Sequence, residues 1–154
     1  MLVLVAAAAV GAPAARTSTA SVTLTGGGLT MSNPSVRVVG RNPTELAVTA
    51  VVTDARGTGA GWFVSVAAHA SGSATALPLV AATATTTCAG GSECTLPVDL
   101  VAYPATISAA GTQTTVFGAA PSSGLGAQTV DLRLVVPPAD LGRLSLSFSV
   151  STEL

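Results

Sequence analysis

Charge is what this sequence has least of. Only 8% of its 154 residues are charged, against roughly 25% in ordinary soluble domains. Lysine is absent, all six basic residues are arginine, and the net charge is −1, which leaves no basic footprint for a nucleic acid. Histidine occurs once. A Ser-His-Asp triad would have to use His69, and no Gly-x-Ser-x-Gly elbow accompanies it. The bland reading of His69 is a strand-end side chain with a local hydrogen bond. The acids are Glu45, Asp54, Glu93, Asp99, Asp131, Asp140 and Glu153. Their spacing suggests neither a glycosidase pair nor a calcium loop. The expectation is therefore a non-enzyme with no cofactor and no metal. Long apolar runs are missing too. The longest, Met1 to Ala15, stops at Arg16 and falls short of the about 20 residues of a spanning helix, although mean hydropathy is +0.65. No transmembrane segment is expected in the mature chain, and its length suits one domain.

What is present begins with that run. Leu2 to Val10 is an apolar core, and Ala12 and Ala14 sit at the −3 and −1 positions of a cleavage after Ala14. Residues 1–14, or up to residue 20 at the longest, read as a secretion signal. Its basic start is missing because Leu2 follows Met1, so a natural start upstream is expected. The competing reading is a buried element of the fold. Cys88 and Cys94 enclose Ala-Gly-Gly-Ser-Glu, too wide for a CxxC pair and without a partner pair for zinc. In an exported chain they would form a disulfide, stapling a local turn at a gain of only ~2 kcal/mol. In a cytosolic chain they would be two thiols.

The periodicity is two. Leu144, Leu146, Phe148 and Val150 fall on one face of a segment, with Ser145, Ser147 and Ser149 on the other, as in a half-buried strand. Segments 22–24, 36–38, 46–52, 62–66, 98–100 and 130–136 read as strands too, separated by Gly-, Asn-Pro- and Pro-Pro-rich turns. Residues 71–87 and 105–123 carry little bulk and read as surface connections, loop or edge. Seven or more strands after the signal predict an all-β, antiparallel, immunoglobulin-like β-sandwich over 21–154.

The densest chemistry is Val51-Val-Thr-Asp-Ala-Arg-Gly-Thr-Gly-Ala-Gly-Trp-Phe-Val64. The glycine loop follows a strand and leads into another strand rather than a helix, so it lacks the anion-binding physics of a phosphate loop and reads as a hairpin. Asp54 and Arg56 are two apart. Asp54 can accept loop N–H groups, and Arg56 can bridge loop carbonyls or Asp54. Trp62, the only tryptophan, shares a face with Val64 and Val66. Two readings stand: a core indole beside a tied-down loop, or a displayed indole that stacks on a sugar or peptide.

These residues resemble the WxL domain, a surface module of Gram-positive bacteria, in its actinobacterial form. Gly28-Leu-Thr-Met31, the Asp54-x-Arg-Gly-x-x-x-Gly-Trp62 block, and Leu132 to Gly142 with the strand to Val150 carry the resemblance. The Trp-x-Leu motifs that name the family correspond to Trp62-Phe-Val64 and Phe148-Ser-Val150, with substitutions in both. The resemblance implies a secreted β-sandwich attached non-covalently to peptidoglycan or another cell-wall glycan. Asp54, Arg56, Trp62 and Phe148 are the candidate binding residues, and other surface proteins are possible partners. The chain ends without a sortase-type apolar anchor, which agrees with non-covalent retention. A structural or adhesive protein working through protein–protein assembly is the rival reading.

Overall fold

The computed structural model describes residues 2–8, 18–24, 27–41, 43–70, 79–137 and 144–152, the first two segments as backbone alone. The cleavage position expected after Ala14 lies outside the described residues. Strand β1 (Leu2–Ala8) pairs antiparallel with β2 (Ser18–Leu24) as a separate two-stranded sheet.

The remaining strands form two antiparallel sheets. The larger contains β3 (Leu29–Met31), β4 (Ser35–Arg41), β5 (Thr44–Asp54), β7 (Leu79–Cys88), β8 (Ala105–Ile107) and β10 (Gly126–Val136). Strands β3 and β4 share one edge of β5, β3 beside Val52–Asp54 and β4 beside Thr44–Thr49. From β5 the order continues through β10 and β7 to β8. The smaller sheet is β11 (Leu144–Ser151), β6 (Trp62–Ala70) and β9 (Ala110–Ala119), with β6 central. The expected antiparallel β-sandwich is what the chain forms.

Alternation explains which face each strand buries. On β5, Leu46, Val48, Ala50 and Val52 point inward, and their β10 partners Leu134, Leu132, Val130 and Gln128 point the same way. Trp62, Val64, Val66 and Ala68 of β6 face them from the smaller sheet. On β11 the apolar face expected from the sequence, Leu144, Leu146, Phe148 and Val150, packs half-buried against this core. Gln128 is the large polar side chain wholly inside; its amide nitrogen donates to the carbonyls of Leu125 at 2.8 Å and Thr95 at 3.3 Å.

Four expectations are corrected. The loop from Asp54 to Trp62 is not a hairpin but a crossing between sheets, since β5 pairs with β3, β4 and β10 and β6 pairs with β9 and β11. Residues 79–88 are not a surface connection but an interior strand: β7 lies between β10 and β8, with Leu79 and Ala81 buried. Residues 110–119 likewise form β9, which pairs with β6 and buries Val116, Phe117 and Ala119. In β7 alanine and threonine give too little contrast between faces for a periodicity to register, and in β9 a register shift buries the neighbours Val116 and Phe117 together, so no period of two shows. Segment 98–100 is not a half-buried strand. Only Asp99 makes a bridge, to Ala119, and Val98 and Leu100 are 63% and 54% exposed. Asp99 takes the inward position because its carboxylate has donors to meet there.

Candidate functional site

At the end of β5 the chain leaves the sheet with Asp54 still facing inward. The following loop turns back on it. Asp54 Oδ1 accepts the Arg56 backbone N–H at 3.1 Å and Nε–H at 2.9 Å, while Oδ2 accepts from Nη2 at 2.8 Å. The same Nη2 donates to the Gly61 carbonyl at 2.7 Å. One guanidinium thus closes the loop against its own entry strand, in the two-pronged geometry that suits arginine and carboxylate. The Asp54 side chain has no solvent exposure. Hydrogen bonds from Arg56 hold its carboxyl below the usual range, against the opposing effect of burial, and Asp54 in turn raises Arg56.

The loop is also strapped from outside. Gly27 N–H donates to the Ala55 carbonyl at 2.7 Å, Ala55 N–H to Gly28 at 3.1 Å, and Ser122 N–H to Gly59 at 2.7 Å. Gly61 has φ +77, and a Cβ there would collide with the Ala119 carbonyl oxygen; only glycine meets both demands. Trp62 follows. It is 0% exposed, its indole N–H donates to the Gly124 carbonyl at 2.8 Å, and its ring packs 5.4 Å from Phe117 between centroids. Gly124 has φ +69 and its missing Cβ is what makes room for the indole.

The two readings of Trp62 separate here. The indole belongs to the core, and a stacking role on a sugar is corrected: no face of the ring is free, and its one donor is engaged. Phe148 does not join it at the surface. It lies opposite Val66 on the inner side of the smaller sheet, half-buried against the core. Asp54 and Arg56 are together, as their spacing suggests, but turned on each other. Cys88 and Cys94 are joined by a disulfide across the short 3-10 turn Ala89–Gly91. His69 is exposed at the end of β6, its ring lying over Gly111. No family model, curated protein or solved structure matches this chain. Among the described residues no helix is long and apolar enough to cross a membrane.

Two clusters escaped the sequence reading. In the first, Asp99 Oδ1 accepts from Val101 N–H at 2.9 Å and Gly118 N–H at 3.0 Å. The Tyr103 hydroxyl sits 2.7 Å from both Asp99 Oδ2 and the Val116 carbonyl. Burial, then the hydrogen bond and charge of Asp99, push the Tyr103 phenol well above its ordinary value. The available signal was an aspartate two residues before a free N–H and four before the only tyrosine.

The second cluster lies on the outer face of the larger sheet. Register puts Arg37, Ala47, Arg133 and Thr83 in one row across β4, β5, β10 and β7, and Ser35, Thr49, Asp131 and Thr85 in the next. A depression of about 410 Å³ opens there, lined by Arg37, Ala47, Thr49, Thr83, Thr85, Asp131, Leu132 and Arg133. Thr49 Oγ1 donates to Asp131 Oδ1. Among the described residues the one ion pair is Arg56–Asp54, so neither Arg37 nor Arg133 has an ion-pair partner there, although the Asp131 carboxylate lines the same depression. Nothing in the local sequence around either arginine indicates this meeting, which strand pairing alone creates.

Proposed function

We propose that the chain is a non-catalytic, secreted surface module of WxL type that binds peptidoglycan or another cell-wall glycan without covalent attachment. The observation that carries this reading is how the resembling block is used. Asp54, Arg56, Gly61 and Trp62 together close one end of the sandwich, so the shared pattern marks an architecture rather than a ligand contact. A broad hydroxyl-bearing sheet face, with Thr49, Thr83, Thr85, Thr87 and Thr129 beside a few charges, is left to solvent. Such a face offers the donors and acceptors that sugar hydroxyls need. The export-type N-terminal segment and the disulfide fit a protein working outside the cell.

Co-sedimentation with purified sacculi tests the reading. The folded protein is expected in the pellet and is expected to be displaced by soluble wall fragments. Retention in the supernatant at all protein and sacculus concentrations would overturn it.

One observation favours the rival, assembly through protein–protein contact. Strand β4 pairs only with β5 among the described residues, and Val36, Val38 and Val39 on it are exposed. A seven-residue open edge of this kind can accept another strand. Sedimentation velocity would reveal concentration-dependent association, abolished by Val38→Lys, if the edge is used.

A further inference from the structure

The outer-face depression has a chemical character that the wall-glycan reading does not by itself supply. Its floor is Ala47, the smallest side chain in its row, and both flanking register partners are arginines. Their Cα atoms are two inter-strand spacings apart, about 10 Å, so the two arginine side chains leave the sheet on either side of one methyl group. Each has a planar fork that matches a carboxylate. Neither forms an ion pair with an acid among the described residues. The neighbouring row supplies the Thr49 hydroxyl, the Asp131 carboxylate and the Thr85 hydroxyl, and Thr83 ends the first row.

We infer that this depression is a binding site for a carboxylate-bearing saccharide, the acid group held between Arg37 and Arg133 over Ala47. Ring hydroxyls of the same or the next sugar then meet Asp131, Thr49, Thr83 and Thr85. Asp131 decides between classes of anion. It is an acceptor for hydroxyl donors and repels a second negative charge, so the ligand carries one anionic group flanked by hydroxyls rather than a dense run of phosphates. A neutral sugar would leave two arginines without a partner. A simple carboxylic acid would leave Asp131 and the threonines without one. The choice of a saccharide rests on the proposed function; the site and the carboxylate go beyond it.

The experiment measures binding of the full-length protein to polygalacturonate, to its methyl ester, which keeps the ring but loses the charge, and to poly(glycerol phosphate). Polygalacturonate is expected to bind, more weakly as salt is raised, and the ester and the phosphate polymer to bind far less. Arg37→Ala and Arg133→Ala should each weaken binding about tenfold or more, the consequence of losing a hydrogen bond to a charged group. Ala47→Leu, which fills the floor and changes no charge, should abolish it. Arg41→Ala, an exposed arginine of β4 outside the depression, should leave it intact, and the three arginine variants should melt as wild type does.

Equal loss on Arg41→Ala would reduce the effect to net charge and overturn the site. So would full binding by the Arg37 and Arg133 variants, equal binding of ester or phosphate polymer, or no binding of polygalacturonate. Sacculi separate the two levels. Wild type and both arginine variants sedimenting alike would remove the site and leave the wall-binding reading. Arginine-dependent polygalacturonate binding without sedimentation would do the opposite.

Discussion

The chain contains two Asp-x-Arg pairs, Asp54/Arg56 and Asp131/Arg133, and it uses them in opposite ways. The first closes into a two-pronged ion pair at 2.8–2.9 Å, buried on the aspartate side. The second has the same spacing and the same signs, yet makes no ion pair among the described residues and stands in solvent. The backbone explains the difference. Residues 131–133 are fully paired on both sides, to β5 and to β7. Side chains at i and i+2 of such a strand project in parallel, about 6.6 Å apart along it. After Asp54 the strand ends, the chain bends, and Arg56 is free to fold back over the carboxylate. One pair therefore contributes to stability and the other is left available for a ligand.

The sharpest contrast comes from the end of the sandwich that the first pair seals. Trp62→Ala removes a fully enclosed indole and should cost ~3–5 kcal/mol, enough to unfold a marginal domain. Native fluorescence of the wild type should be blue-shifted and move red on denaturation. A native spectrum like that of tryptophan in water would place the indole outside.

Arg56→Ala comes next, at about 1–3 kcal/mol, because it strips Asp54 of its side-chain donors inside the protein. The pair also titrates. The folded pKa of Asp54 lies below its unfolded value, so its contribution is fully present above about pH 4 and fades as pH falls through the folded value. The stability gap between wild type and Asp54→Asn should accordingly narrow in acid. A gap that widened would show that the carboxylate is not held by Arg56.

Tyr103→Phe should cost about 1 kcal/mol, one hydrogen bond. Its folded pKa is raised, so its stabilisation is complete below the unfolded value of about 10 and is lost as pH rises beyond it. As the only tyrosine, Tyr103 reports this directly. The tyrosinate band should stay absent past the pH at which free tyrosine ionises and should appear together with unfolding. Ionisation near the free value in a still-folded protein would mean that Asp99 does not hold it.

Arg133→Ala should move stability by no more than about 0.5 kcal/mol, the usual range for an exposed side chain without partners. If it destabilised the protein as much as Arg56→Ala, the two Asp-x-Arg pairs would not differ as described.

Much of this was legible in the residues themselves, and the limits are informative. Wide contrast between neighbours made β5, β6, β10 and β11 readable, since Leu, Val, Phe or Trp alternate there with Ser, Thr or charge. Between Asp54 and Trp62 only the Asp54–Arg56 contact was readable, because it spans two residues; the hairpin expected there does not form, because β5 and β6 go to different sheets and the loop is held by Gly27, Gly28 and Ser122 from elsewhere in the chain. β7 was not readable, because its Ala and Thr differ too little in bulk or polarity, and β9 was not, because a register shift at Val116 buries adjacent residues and breaks its alternation. Segment 98–100 was misleading for a related reason: its pattern has the right period but the wrong phase, since the donors that draw Asp99 inward include Gly118, far along the chain.

By itself, then, the sequence determined what depends on near neighbours: the β class, the strongest strands, the cysteine loop and the Asp54–Arg56 clamp. Tertiary structure decided what depends on which strands lie side by side. It put Trp62 against Phe117 and Gly124, gave Asp99 its donors, and set Arg37 and Arg133 on either side of Ala47. Strand pairing joins residues that are remote along the chain, and alternation tells which face a residue takes but not which strand lies beside it.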